Sequence, residues 1–163
     1  MAVCDSLVLL LAEAERDCTL HLFNVNAVHF MISVGSVTLK QPTKGLACTR
    51  RGNNTYVAFA HVSLVSLYLL ESQSLLFKPL ASFTLEKPHL LLFCGDLLLV
   101  ADWNETTKTP AIVSLRAFGK GLNVLLDADA GIEVGAWAIA GDRLVLWNQK
   151  SKHLLVSLMN LFA

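Results

Sequence analysis

The sequence predicts an all-β protein of consecutive antiparallel hairpins, and three observations carry that expectation. Apolar residues come in short runs rich in Leu, Val, Ile and Phe rather than at helical spacing. Compact turns rich in Gly, Asn, Asp and Ser separate the runs, and these residues supply the backbone freedom or side-chain hydrogen bonds that tight reversals need. A pattern of Gly-Asp, apolar strand and Trp-Asn occurs twice, at 95–104 and 141–148.

Taken in order, the first hairpin is expected from Leu7 to Ala12 and Thr19 to Asn24, reversing through Glu13-Ala14-Glu15-Arg16-Asp17. Val28 to Val34 follows, and Gly45 to Thr49 begins after Pro42, because proline interrupts a ladder and marks a strand end. The turn Arg50-Arg51-Gly52-Asn53-Asn54 leads into Tyr56 to His61, and Ser63 to Leu70 doubles back. Leu75 to Leu80 follows Glu71-Ser72-Gln73-Ser74 and ends beside Pro79. His89 to Phe93 starts after Pro88 and meets Leu97 to Asp102 around Cys94-Gly95-Asp96. A polar stretch from Trp103 to Pro110 precedes Ala111 to Phe118, and Gly119-Lys120-Gly121 precedes Leu122 to Leu126. Ile132 to Ile139, Leu144 to Trp147 and His153 to Leu158 complete the series, separated by Gly141-Asp142 and the turn at Asn148. Several strands are apolar on both faces, so both faces need cover, which favours stacked sheets over one open sheet with a wet side. No linker, low-complexity tract or charged run divides the series, and residues 1–163 read as one domain.

Composition narrows the function. Apolar residues make up 54% of the chain and charged residues only 16%, against roughly 25% charged in ordinary globular proteins. Such a surface calls for cover by other protein. Thirteen Lys and Arg balance thirteen Asp and Glu, which leaves no net field to gather nucleic acid or anionic lipid. Glu13, Glu71, Lys78 and Asp96 interrupt every long apolar run, short of the roughly 18 residues a spanning helix needs. The first residues carry Asp5 where a secretory leader has a basic segment. Cys4, Cys18, Cys48 and Cys94 show no C-x-x-C spacing and read as small buried thiols, which points to a reducing intracellular compartment, cytoplasmic or nuclear. Two N-x-T sequons, at Asn53 and Asn104, fall where turns are expected anyway.

Trp103 and Trp147 lie about 44 residues apart, within the period of about 40 to 45 residues of four-stranded blades. The second copy resembles the end of a WD-repeat β-propeller blade. In that family a Gly-Asp or related turn opens the third strand, which finishes on Trp-Asp before a polar turn and an outer fourth strand. The resemblance implies that Gly141-Asp142 is the opening turn, Leu144 to Trp147 the third strand and His153 to Leu158 the outer strand. Asn148 then stands where the family has Asp. Trp147 would fill the wedge between blades and Asn148 would cap the turn. The first copy, Gly95-Asp96 with Trp103-Asn104, falls instead on an expected second strand, because Ala111 to Phe118 follows as the third. Asn replaces Asp in both copies, and no Gly-His pair precedes either. A third stretch, 45–83, keeps the cadence with Leu70-Glu71 where Trp-Asn would stand.

Fourteen expected strands at four per blade make about three and a half blades, whereas propellers usually close with four to eight. An unclosed ring leaves apolar faces and strand edges bare at its ends. The expectation is therefore a propeller completed or covered by partner chains, either other protein subunits or a second copy. Turn tips carrying Arg50, Arg51 and Asn53, and Asn104 and Lys108, are the candidate protein contacts.

No sequence signature of catalysis is present: there is no G-x-S-x-G, H-E-x-x-H, P-loop or G-x-G-x-x-G. His21, His29, His61, His89 and His153 lack metal-like spacing. Asp127 and Asp129 form a D-x-D pair that suits a hard cation, but a turn whose carboxylates bond their own backbone accounts for it more simply. Tyr68, Phe77 and Trp137 read as core packing rather than a ligand pocket. The expectation is a protein with no enzymatic activity, metal or cofactor. Two alternatives stand beside it. A closed lipocalin-like barrel for a small apolar ligand is suggested by Gly135-Ala136-Trp137, although that family places its G-x-W near the amino terminus. An enzyme assembled around Asp127, Asp129 and a histidine is compatible with the spacing without being required by it.

Overall fold

A computed structural model of the chain describes residues 1–13, 17–25, 28, 30–71, 73–95, 97–116, 123–129, 134–140 and 143–158. Fifteen strands lie among them: β1 (Ala2–Cys4), β2 (Leu7–Glu13), β3 (Cys18–Val25), β4 (Met31–Leu39), β5 (Gly45–Arg51), β6 (Asn54–Ala60), β7 (Leu64–Glu71) and β8 (Leu76–Thr84), then β9 (Leu90–Cys94), β10 (Leu97–Asn104), β11 (Thr109–Arg116), β12 (Asn123–Asp129), β13 (Val134–Ala140), β14 (Arg143–Asn148) and β15 (His153–Leu158). They form four antiparallel meanders: β1–β4, β5–β8, β9–β12 and the three-stranded β13–β15. The closed-barrel alternative is therefore not the architecture, since the strands divide into four separate sheets.

The extra strand is β1, three residues long and too short to announce itself in the sequence, yet it pairs with β2 from Ala2↔Leu9 to Cys4↔Leu7. The third expected strand is displaced from 28–34 to Met31–Leu39, because cross-strand pairing with β3, from Val25↔Met31 to Cys18↔Leu39, fixes its position.

The first strands run side by side in the order β1, β5, β9, β13, and among the described residues no comparably close packing joins β13 to β1. The sheets fan outward from them as blades. Strand pleat explains why middle strands are apolar on both faces. Val57 and Phe59 of β6 pack against Leu9, Leu20 and Leu22 of the first blade, while Ala58 and Ala60 face Leu91, Leu98 and Val100 of the third. On β10, Leu98 and Val100 take the second blade, and Leu99 and Ala101 take Val134, Leu144 and Leu146 of the fourth. Both faces of β6 and β10 are thus core, and burying each such large side chain contributes about 1.5–3 kcal/mol.

Gly45 shows how closely the first strands approach. A Cβ there would stand 2.6 Å from the carbonyl oxygen of His89 and 3.0 Å from the Cβ of Ala60. Only glycine lets β5 and β9 meet at this point.

Candidate functional site

Each meander places its strand connections on two opposite rims. Turns between first and second strands lie on one rim; turns between second and third strands, and links between blades, lie on the other. Arg50, Arg51 and Asn53 therefore sit on the first rim, and Asn104 and Lys108 on the second. The two candidate contact sets are not brought together.

On the first rim, Asp5, Gly52 and Gly95 open their turns at φ of 51°, 57° and 55°. The glycine of Gly95-Asp96 thus supplies a left-handed backbone that a side chain resists; Asp96, Gly141 and Asp142 lie outside the described residues. The Arg50 guanidinium donates to the Asp5 carboxylate at 3.4 Å, tying the second blade to the first. Both side chains are largely exposed, and such a pair contributes about 0–1 kcal/mol. Arg50 and Asn53 border a cleft of about 230 Å³ that also includes Cys4, Ser6, Asn24 and Leu75.

On the second rim the Trp-Asn repeat finds its physical meaning. The Asn104 side-chain oxygen accepts the Thr107 N–H at 2.8 Å, and that of Asn148 accepts the N–H groups of Lys150 and Ser151 at 3.0 Å. Lys108 and Lys152 close the two turns with φ of 57° and 61°. Both turns are therefore Trp-Asn-x-x-x-Lys hairpins capped by asparagine. They end β10 and β14, which are second strands of their blades. The resemblance had assigned Leu144 to Trp147 to a third strand and His153 to Leu158 to an outer fourth; they are the second and third, because β13 is the first strand of that sheet and β14 the next. The internal repeat holds, and its position in the blade differs from the WD family's.

Buried polar groups latch the links between blades to the second strands. Asp102, 6% exposed, accepts the N–H of Lys87 at 2.7 Å and of Glu86 at 3.4 Å. In the preceding blade His61, just after β6, has a corresponding role, with Nδ1 3.2 Å from the Thr43 hydroxyl, which itself donates to the Gln41 carbonyl. Burial lowers the His61 pKa, which favours the neutral ring. Cys18 accepts the Thr43 N–H at 3.4 Å. Bonds from Lys108 and Lys87 hold the Glu105 carboxyl down to about 2, and Glu86 accepts the Glu105 N–H. Lys108 and Asn104 are thus engaged within their own blade. Cys4 and Cys48 lie on neighbouring first strands, and burial pushes both thiol pKa values up.

Sequence reasoning missed these latches. Paired polar positions after β6 and within β10 are a usable signal only once the blades are aligned in space. Tyr68 and Phe77 pack edge-on with Phe59 at 5.6 Å each, so both belong to the core between the first two blades. Trp137 packs between the third and fourth. Asp127 and Asp129 lie on β12 rather than in a turn, paired with Val113 and Ala111; their side chains are outside the described residues. His29 is also outside them.

Trp103 lines a recess of about 250 Å³ with Val134 and Gln149 at the seam between third and fourth blades. Trp147 has the same place on its strand, but no described sheet lies beyond the fourth blade. An axial groove of about 460 Å³ is lined by all four first strands, including Val3, Ala47, Leu91 and Ala136.

No family model matches the sequence, and no curated protein matches it. Among solved structures, the crystal structure of Kluyvelomyces marxianus Hsv2, a yeast β-propeller protein, superimposes at a TM-score of 0.58 with 13% identity. The match covers 90% of this chain and 43% of that one, so the chain spans less than half that structure's length. This likeness, with the four meanders, establishes a β-propeller fold.

Proposed function

We propose that the chain is a non-enzymatic scaffold subunit of an intracellular multiprotein complex, with its propeller completed or covered by partner chains. One observation carries the reading: the blade series ends in two apolar faces that no described sheet covers. Val3 at one end is 56% exposed and Leu154 at the other 65%. Exposed apolar area of this kind marks a protein interface on a soluble domain. The four free cysteines agree with a reducing compartment.

The test is purification from cells under mild conditions, followed by native mass spectrometry and a thermal melt of the separated chain. The expected result is stoichiometric protein partners and a separated chain that aggregates or melts at a lower temperature. A monodisperse, cooperatively folded monomer that associates with nothing would contradict it.

A further inference from the structure

The packing between blades is continuous through the molecule and stops at two faces. On β14, Leu144 and Leu146 meet the third blade, so Val145 and Trp147 point the opposite way. Beside them Ala136, Ala138 and Leu154 are exposed. Trp147 holds the position from which Trp103, one repeat earlier, faces its following blade. At the other end Leu9 faces the second blade, which turns Val8 and Leu10 to the opposite face beside Val3; Val3 is exposed there, Leu10 half-buried and Val8 already buried within its own sheet. Counted from the first turn of each blade, Val8 and Leu10 occupy the places at which Leu98 and Val100 meet a preceding blade. Each open face is therefore built like an occupied one.

We propose that the two faces pair with each other between two copies of the chain set head to tail about a common axis, forming two equivalent seams. The outward face of β13–β15 in each copy receives the outward face of β1–β4 in the other. This rests on the scaffold reading above and names the partner. Each chain carries one face of either kind, so a two-fold ring uses both and leaves no open end. Two copies bring the blades to about eight, within the number at which propellers close, and the superimposed propeller is roughly twice as long as this chain. Ala136 and Ala138 are small and exposed, so larger side chains of the other copy's first blade fit against them. The same small-to-large fit lets Ala47, Ala58 and Ala60 receive Leu91 and Leu98 between the second and third blades. A formal net charge of zero leaves no overall repulsion between copies.

Sedimentation velocity of the purified chain at micromolar concentration tests this. The expected species has twice the 17.8 kDa chain mass, and Trp147→Glu or Leu10→Glu weakens association by about ten-fold or more. Cross-linking of mixed light and heavy-isotope wild-type protein needs no variant to fold; it should join β1–β3 of one copy to β13–β15 of the other. A monomer, or a dimer cross-linked through other surfaces, overturns the second copy as partner. If that monomer binds a different polypeptide through Trp147, the scaffold reading stands; if it melts cooperatively and binds nothing, both fall.

Discussion

Asn148 illustrates how one side chain fixes a hairpin. Its oxygen satisfies two turn N–H groups at once, each net bond contributing about 0.5–1.5 kcal/mol. Asn148→Ala should lower the melting temperature by several degrees, and Asn148→Asp should restore most of it; equal melting of all three proteins would refute the cap. His61 makes a pH prediction. Its folded pKa lies below its ordinary value of 6.5, so protons bind the unfolded chain more readily as pH falls below that value. Its contribution is complete above about 6.5 and lost as pH falls through the folded value. His61→Gln should flatten that part of the stability–pH curve in urea titrations, and an unchanged curve would show that the ring does not titrate with unfolding. These roles were partly legible in the sequence. Asparagine after tryptophan reads as a turn cap from composition alone, whereas His61 and Asp102 reveal their roles only when a link 15 to 18 residues away folds back onto them.

At the scale of elements, the strands were readable because their core faces come from both sides of the pleat, which produces unbroken apolar runs. What escaped was β1, too short for a pattern, and the place of the Trp147-Asn148 strand in its blade, which depends on which strand leads the sheet; the Trp103 strand was expected as a second strand and is one. Close approach between leading strands gives a sharp test. Gly45→Ala puts a methyl against the His89 carbonyl, and because backbone rather than a flexible side chain must yield, the expected cost is about 1–3 kcal/mol. Gly52→Ala meets no atom within 4 Å, yet its φ of 57° disfavours a side chain, so it should cost less, about 1 kcal/mol. Equal denaturation midpoints for both variants would contradict the packing of β5 on β9. Phe59→Ala, in a site 1% exposed beneath Tyr68 and Phe77, should cost about 3–5 kcal/mol by chemical denaturation.

For the whole molecule, the greasy composition and the blade count pointed together to an unclosed ring, and the fold gives that deficit a location. The interior blades have neighbours on both sides, while the first and fourth each have one. Contact side chains were harder to read. Hairpin tips look alike in sequence, and only the meander shows that Arg50 and Lys108 occupy opposite rims. Native-state hydrogen exchange on the dilute, separated chain tests the unclosed ring most directly. Amides of β6 and β10 should exchange slowest and those of β2 and β14 measurably faster, with the difference narrowing as the ends become covered. Equal protection of all four middle strands in the isolated chain would mean that the blades already close on themselves, and the account would fail.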